Sequence, residues 1–275
     1  MLRLLWIISL FISASLCWPA KFMDSDHLVK LNGRISGGTQ AVRYQFPYQV
    51  IFFVYTKDGQ SICGGSILST HFSLSAAHCF SGFSSADILA GIIDIVNDDP
   101  PYELEIFPSD VIVHSKYNSV TNLNDIAIVK TSRKPISFNS AIQPIALPAR
   151  SMANIDLTNT IGLVAGWGKV NDASVDISTK LLYINAPIIS NAECTKTYGP
   201  IITTSNICLS GANGRSTCRG DSGGPLTITS GGRQVQVGIV SFGSDNGCQR
   251  GYPTGFARVS SFLDWIQSNT GIIIS

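Results

Sequence analysis

The chain has 275 residues, 44% of them hydrophobic and only 13% charged, with a formal net charge of +1. That length bounds it to one or two domains with ample core, and the composition excludes a disordered chain. A near-neutral charge gives no field to draw nucleic acid or an anionic membrane, so neither is expected as a partner.

At the start, Arg3 precedes an apolar run, Leu4–Leu16, broken only by Ser9, Ser13 and Ser15. The run is too short for a bilayer span of about 20 residues. A basic start, a short apolar core and small residues near Ala14–Cys17 predict a secretory signal peptide over 1–17, with cleavage after Ala20 as the rival. Strand-like runs follow at Tyr48–Tyr55, Gly65–Leu68, Asp87–Ile95, Val111–His114, Ile126–Thr131, Gly162–Gly166, Lys180–Ala186, Pro225–Thr229, Gln234–Ser241 and Gly255–Val259. They are rich in Val, Ile, Leu and aromatic residues and are bounded by turn residues, which predicts an all-β sandwich or barrel. A link between two halves is placed near 141–156, where Pro144 and Pro148 fall. One helix is expected near the end, where Ser261–Ile266 shows helical apolar spacing.

Seven cysteines are present; setting aside Cys17 in the predicted signal leaves Cys63, Cys79, Cys194, Cys208, Cys218 and Cys248. An even number in an exported chain points to disulfides, though spacing alone does not choose among 15 pairings. Zinc is the competing reading, but no pair has the short spacing of a structural zinc site. An acidic group at Asp94, Asp98, Asp99, Glu103 and Glu105 is expected to be a solvated loop, with a calcium site as the alternative.

Three motifs carry the chemistry. In Ser75-Ala76-Ala77-His78-Cys79, a cysteine beside the histidine can fix its orientation. In Asn124-Asp125-Ile126-Ala127-Ile128-Val129, the acid at a strand entrance can end a turn or orient an imidazole. In Gly220-Asp221-Ser222-Gly223-Gly224-Pro225, the glycines let backbone N–H groups converge on a small volume where an oxyanion could form. Each motif alone has an ordinary structural explanation. Together they supply a base, an orienting acid and a nucleophile in the order His, Asp, Ser.

With Arg34-Ile35-Ser36-Gly37-Gly38, Gly166-Trp167-Gly168 and Ser241-Phe242-Gly243 in the same order, the chain resembles the chymotrypsin-like (trypsin-fold) serine proteases from Ile35 to about Asn269. The ending, Gly251-Tyr252-Pro253 with Phe256-Ala257-Arg258-Val259, is similar to invertebrate digestive chymotrypsins and their collagenolytic relatives. The resemblance implies two antiparallel six-stranded β-barrels with a C-terminal helix, an activation propeptide over 18–34 and a protease domain over 35–275. It makes Ser222 the nucleophile, His78 the base and Asp125 its orienting acid, with the oxyanion held by the N–H groups of Gly220 and Ser222. Cleavage at Arg34–Ile35 would free an amino group to pair with Asp221. Disulfides would join Cys63–Cys79, Cys194–Cys208 and Cys218–Cys248.

Ser216, Ser241, Phe242, Gly243 and Thr254 would contact substrate. A neutral Ser216 at the pocket floor disfavours Lys or Arg there, Gly243 leaves one wall open, and Thr254 narrows the other. Cleavage after Phe, Tyr or Leu is expected, with smaller aliphatic residues as the alternative. Implied partners are protein or peptide substrates, an activating trypsin-like protease and protein protease inhibitors. The protein is expected to be a secreted monomer, digestive rather than regulatory, without cofactor or metal. A catalytically silent, protease-like binding protein is the reading from another class, and the three triad residues argue against it.

Overall fold

The computed structural model describes residues 37–274, so the expected signal peptide, the propeptide and the Arg34–Ile35 bond lie outside the described residues. Fourteen strands follow in order: β1 Thr39–Gln40, β2 Gln49–Thr56, β3 Gly59–Ile67, β4 Phe72–Ser75, β5 Phe83–Ala90, β6 Tyr102–Ile106, β7 Val111–Val113, β8 Ala127–Lys130, β9 Ile161–Gly166, β10 Leu182–Ile189, β11 Asn206–Leu209, β12 Pro225–Ser230, β13 Arg233–Phe242 and β14 Thr254–Arg258. The helices are α1, Asn191–Tyr198, and α2, Leu263–Thr270. None among the described residues is long and apolar enough to cross a membrane.

The strands form two barrel-like antiparallel sheets. In the second, β10-β11-β14-β13-β12-β9 closes into a ring because β9 also pairs with β10, and β1 adds a seventh strand outside it. The first runs β6-β5-β2-β3-β4-β8-β7. Its two edge strands, β6 and β7, are consecutive in the chain and are separated by Phe107 and the 3-10 turn Pro108–Asp110. Pro108 has no N–H to give to a ladder, so one long strand becomes two short ones at that corner. The expected pair of barrels is therefore found as one closed six-strand barrel and one half-barrel, followed by the C-terminal helix.

Alternation fixes which faces meet the core. In β10 the residues Leu182, Ile184, Ala186 and Ile188 are buried while their neighbours face outward, the period of a half-buried strand. In β2, Val50, Ile51 and Phe52 are all fully buried, because this strand is covered on both faces. The helix α1 was absent from the sequence expectations, although Ser190-Asn191-Ala192-Glu193 has the form of a capping sequence; the Ser190 hydroxyl accepts from the Glu193 N–H at 3.1 Å.

Polar contacts join the sheets. The Ser66 hydroxyl donates to Gln236 Oε1 at 2.6 Å with both residues fully buried, Gln49 Nε2 donates to Ala165 O at 3.1 Å, and Tyr48 and Thr227 hydroxyls lie 3.5 Å apart. The connecting segment is fastened to both sheets: Ile145 N–H donates to Ile67 O, and Ala146 O accepts from Gln236 N–H.

The three disulfides are Cys63–Cys79, Cys194–Cys208 and Cys218–Cys248, closing separations of 16, 14 and 30 residues. These sulfurs are consumed as disulfides, which removes the thiolates that the zinc reading requires. The expectation of a solvated acidic loop is corrected at two positions. The Asp94 carboxylate is paired with Lys180 and takes the Val96 N–H and the Asn97 amide, while that of Asp98 is paired with Arg43 and takes the N–H groups of Ile93 and Asp94. Burial pushes both carboxyls up, but these hydrogen bonds and cations outweigh it and hold them below the usual range. Their oxygens tie loop backbone together, which is why the two side chains leave solvent.

Candidate active site

His78 stands in a 3-10 turn, Ala77–Phe80, directly after β4, and the Cys63–Cys79 bridge fastens that turn to β3. Asp125 enters from the neighbouring strand, just before β8, which pairs antiparallel with β4 and sets Ala127 opposite Ser75. Asn122 and Asn124 precede it in the left-handed region, at φ 52° and 56°, a conformation that asparagine tolerates better than most residues. Asn124 also donates its side-chain amide to Lys116 O at 2.8 Å. This turn delivers Asp125 inward, fully buried, at the mouth of β8.

The Asp125 carboxylate accepts three hydrogen bonds. Its Oδ1 takes the backbone N–H of His78 at 2.9 Å; its Oδ2 takes His78 Nδ1 at 2.7 Å and the Ser241 hydroxyl at 2.6 Å. With Nδ1 donating to the acid, the imidazole is held in the tautomer that leaves Nε2 to accept a proton. The backbone and side-chain bonds together fix both the position and the tilt of the ring.

Ser222 comes from the second sheet, on the turn before β12. Gly220 and Gly223 adopt φ of +100° and +81°. A Cβ on Gly223 would lie 2.2 Å from Ser75 Oγ and 2.5 Å from Gly64 O, so only glycine lets this turn approach the segment that leads into His78. Gly64 N–H donates to Ser222 O at 2.7 Å, a further tie between the turn and β3. Among the described residues, the N–H groups of Gly220 and Ser222 donate to no protein acceptor. The Ser222 hydroxyl also makes no hydrogen bond to His78 among these residues, a contact that often tightens only with substrate present.

Asp221 lies behind the turn and is fully buried. Its Oδ1 takes the Gly168 N–H and its Oδ2 the Cys218 N–H, each at 2.8 Å. Burial pushes its carboxyl up to about 6, against the lowering effect of those two bonds, and it has no cationic partner among the described residues. The same carboxylate explains Gly166-Trp167-Gly168: a Cβ on Gly166 would fall 2.2 Å from Asp221 Oδ1, and one on Gly168 2.5 Å from its Cγ.

Beside Ser222 opens a cavity of about 430 Å³ lined by Ser216, Thr217, Ser241, Phe242, Gly243 and Tyr252, among others. A Cβ on Gly243 would meet nothing within 4 Å, so that wall has room. Phe242 rests on Gly255, where a Cβ would come 2.2 Å from its ring, and packs edge-on against Tyr198 at 5.1 Å. Thr254 sits just behind the lining, 1% exposed, with its Oγ1 3.0 Å from the hydroxyls of both Ser216 and Thr217. Asp245 is exposed at the rim. Thr217 and Tyr198 were not singled out from the sequence, because neither stands in a motif that marks it, and Tyr252 entered only within Gly251-Tyr252-Pro253, with no place at the cavity.

A histidine held by a buried acid, a serine on a glycine turn and two free N–H groups beside it form an acyl-transfer arrangement. The family model described as Trypsin matches residues 35–266. The chain belongs to the trypsin family of serine proteases. Brachyurin from Leptuca pugilator is 39% identical to this protease over 238 residues, 86% of this chain and 99% of that protein. A collagenase from Hypoderma lineatum is 37% identical over 88% of this chain and 89% of its own, and a chymotrypsin from Phaedon cochleariae 35% identical over 86% and 82%. The solved structure of HL collagenase superposes with a TM-score of 0.78, at 34% identity, over 89% of this chain and all of that one. The protein is thus a serine endopeptidase with the trypsin fold.

Proposed function

We propose that this protease is exported as an inactive precursor, that cleavage at Arg34–Ile35 activates it, and that it then cuts proteins after Phe, Tyr or Leu. The observation that carries the reading is the Asp125 carboxylate, which joins Ser241 to His78 beside the free N–H groups of the Ser222 turn. Ser222 Oγ attacks the scissile carbonyl while His78 Nε2 takes its proton. Asp125 holds the ring and stabilises the imidazolium, and the N–H groups of Gly220 and Ser222 receive the oxyanion. His78 returns the proton to the leaving amine. The same base then activates the water that hydrolyses the acyl-enzyme, regenerating Ser222. These roles follow the family's mechanism, and the hydrogen bonds and free donors support assigning them here.

Specificity follows from the cavity. Ser216, Thr217 and Thr254 offer hydroxyls and no charge at its base, so a buried Lys or Arg would lose its hydration without a counter-ion. The open wall at Gly243 admits a flat ring. Activation would work through Asp221, which the new Ile35 amino group would neutralise, ordering the turn that carries the two oxyanion donors. An N-terminal run of signal-peptide form and three disulfides support a secreted enzyme, which we read as monomeric and digestive. Its activating partner would be a trypsin-like protease, and protein protease inhibitors would be its antagonists.

The test compares the activated enzyme on peptides that differ only in Phe, Leu, Ala or Arg before the scissile bond. Preference for Phe or Leu is expected. Preference for Arg overturns the specificity reading, and preference for Ala replaces it with the alternative of smaller aliphatic residues. No hydrolysis after cleavage at Arg34 would return the protein to the binding class.

A further inference from the structure

We propose that Asp172 sets the width of the substrate cavity by clamping its outer wall, which makes an exposed loop outside the triad a determinant of specificity. The proposal rests on the cleavage reaction assigned to Ser222. The outer wall is the segment Ser244–Arg250, of which Ser244, Asp245, Asn246, Gly247, Cys248 and Arg250 line the cavity. Within that segment, the N–H groups of Asn246 and Gly247 turn back to the Ser244 hydroxyl and carbonyl. Those of Cys248 and Gln249 instead leave it for one carboxylate in another loop: Cys248 N–H donates to Asp172 Oδ1 at 2.6 Å and Gln249 N–H to Oδ2 at 3.3 Å. The contact is reciprocated, since the Asp172 N–H donates to Gln249 Oε1 at 3.3 Å.

Shape agrees with the hydrogen bonds. Gly247, at φ +115°, has the Asp172 carboxylate over it, and a Cβ there would fall 2.5 Å from Oδ2. The carboxylate also lies within 4.8 Å of both sulfurs of the Cys218–Cys248 bridge, which joins the outer wall to the segment that bears Ser216. Asp172 therefore seats the wall on one side while the disulfide anchors it on the other. Charge-assisted bonds of this kind are about twice as strong as neutral ones. Asp172 itself stands at the start of an exposed loop whose Val175 is 83% exposed. A displacement of that loop is transmitted to the wall without touching His78 or Asp125.

Asp172 is thus a positioning residue, and a split between KM and kcat is its signature. In the activated enzyme, Asp172→Ala should raise KM about tenfold for the peptide with Phe before the scissile bond, leave kcat within about twofold, and change KM about twofold for the Ala peptide. Asp172→Asn keeps one acceptor oxygen and should fall between. A second readout needs no catalysis: on the Ser222→Ala background, added trypsin should cut after the exposed Arg250 about tenfold faster when Asp172 is alanine, because the wall opens more often. An equal KM change on both peptides overturns the specificity role, and unchanged cutting at Arg250 overturns the clamp. A parent enzyme that cleaves neither peptide refutes the cleavage reading instead, and the Arg250 measurement still decides whether Asp172 holds the wall.

Discussion

The uncut chain should be less stable at neutral than at mildly acidic pH, and Asp221 should be the reason. Its carboxyl is fully buried, takes two backbone N–H groups, and is pushed up to about 6 from an ordinary 3.8. A folded-state pKa above the unfolded one means that the folded chain holds the proton more tightly. The contribution is therefore fully present below about pH 4 and is lost as pH rises through 6, where ionised Asp221 costs about 3 kcal/mol. The chain to use carries Arg34→Gln, to prevent cutting, and Ser222→Ala, to silence it; its urea unfolding is followed from pH 4 to pH 8. The control adds Asp221→Asn, which cannot titrate. The asparagine sets one amide donor against a backbone N–H, an offset that is constant with pH, so the comparison lies in the slopes. Relative to the control, the Asp221 chain should lose about 2.4 kcal/mol of that between pH 4 and pH 7. After cleavage at Arg34 in the Ser222→Ala chain, an amino group pairing with Asp221 should flatten that fall. Parallel curves for the uncut chain and its control would refute the desolvation argument, and no flattening on cleavage would refute the pairing with Ile35.

Four further outcomes are expected. Ser222→Ala should fold with its disulfides and form no acyl-enzyme in a burst assay, while Asp125→Asn should cut turnover by about 10⁴ through the wrong imidazole tautomer; near-normal turnover would reduce Asp125 to a turn residue. Ser241→Ala removes a hydroxyl that donates to a fully buried carboxylate at 2.6 Å. It should cost about 1.5–3 kcal/mol in denaturant unfolding, with a far smaller loss of rate than Asp125→Asn because the carboxylate and the imidazole tautomer it fixes stay in place. Thr254→Gly frees the Ser216 and Thr217 hydroxyls and deepens the base of the cavity, so the kcat/KM ratio of Phe to Ala peptides should rise; an unchanged ratio would mean that Ser216 screens Thr254 from substrate.

Much of this was legible in the sequence where residue type and local pattern agree. The runs at 48–55, 162–166 and 234–241 become β2, β9 and β13 within a residue or so at each end, because Val, Ile and aromatic residues fit a pleated, half-buried surface. Other stretches gave no such signal. The strand β6 carries Glu103 and Glu105 on its outward face, and β3 begins with Gly59, Gln60 and Ser61, so their pairing depends on neighbours far along the chain. The run predicted over 87–95 stops at Ala90, since Gly91 turns the backbone at φ +83°. At the site, His78, Asp125 and Ser222 each stand in a local motif, whereas Asp172 and Tyr198 are conspicuous only once their partners are in place. The family resemblance supplied the disulfide pairing, which spacing left open.

The three disulfides have a consequence for the molecule's mechanical unity. One lies in the half-barrel with His78, and the other two lie in the closed barrel with Ser222. None of them crosses the cleft, so between the two sheets the covalent continuity in the described chain is backbone alone, in the connecting segment and in residues 41–48, which lead from β1 on the second sheet to β2 in the first. A nick in the connecting segment would leave two separately stapled pieces, held by the β1–β10 pairing, Ser66–Gln236, Gln49–Ala165 and the apolar faces around them. The protease is in this sense a partnership of two fragments that happen to share a chain, and its activity is a direct report of their association. Expressed separately, residues 35–145 and 146–275 are a natural pair for a complementation assay, in which proteolysis appears only when the halves meet.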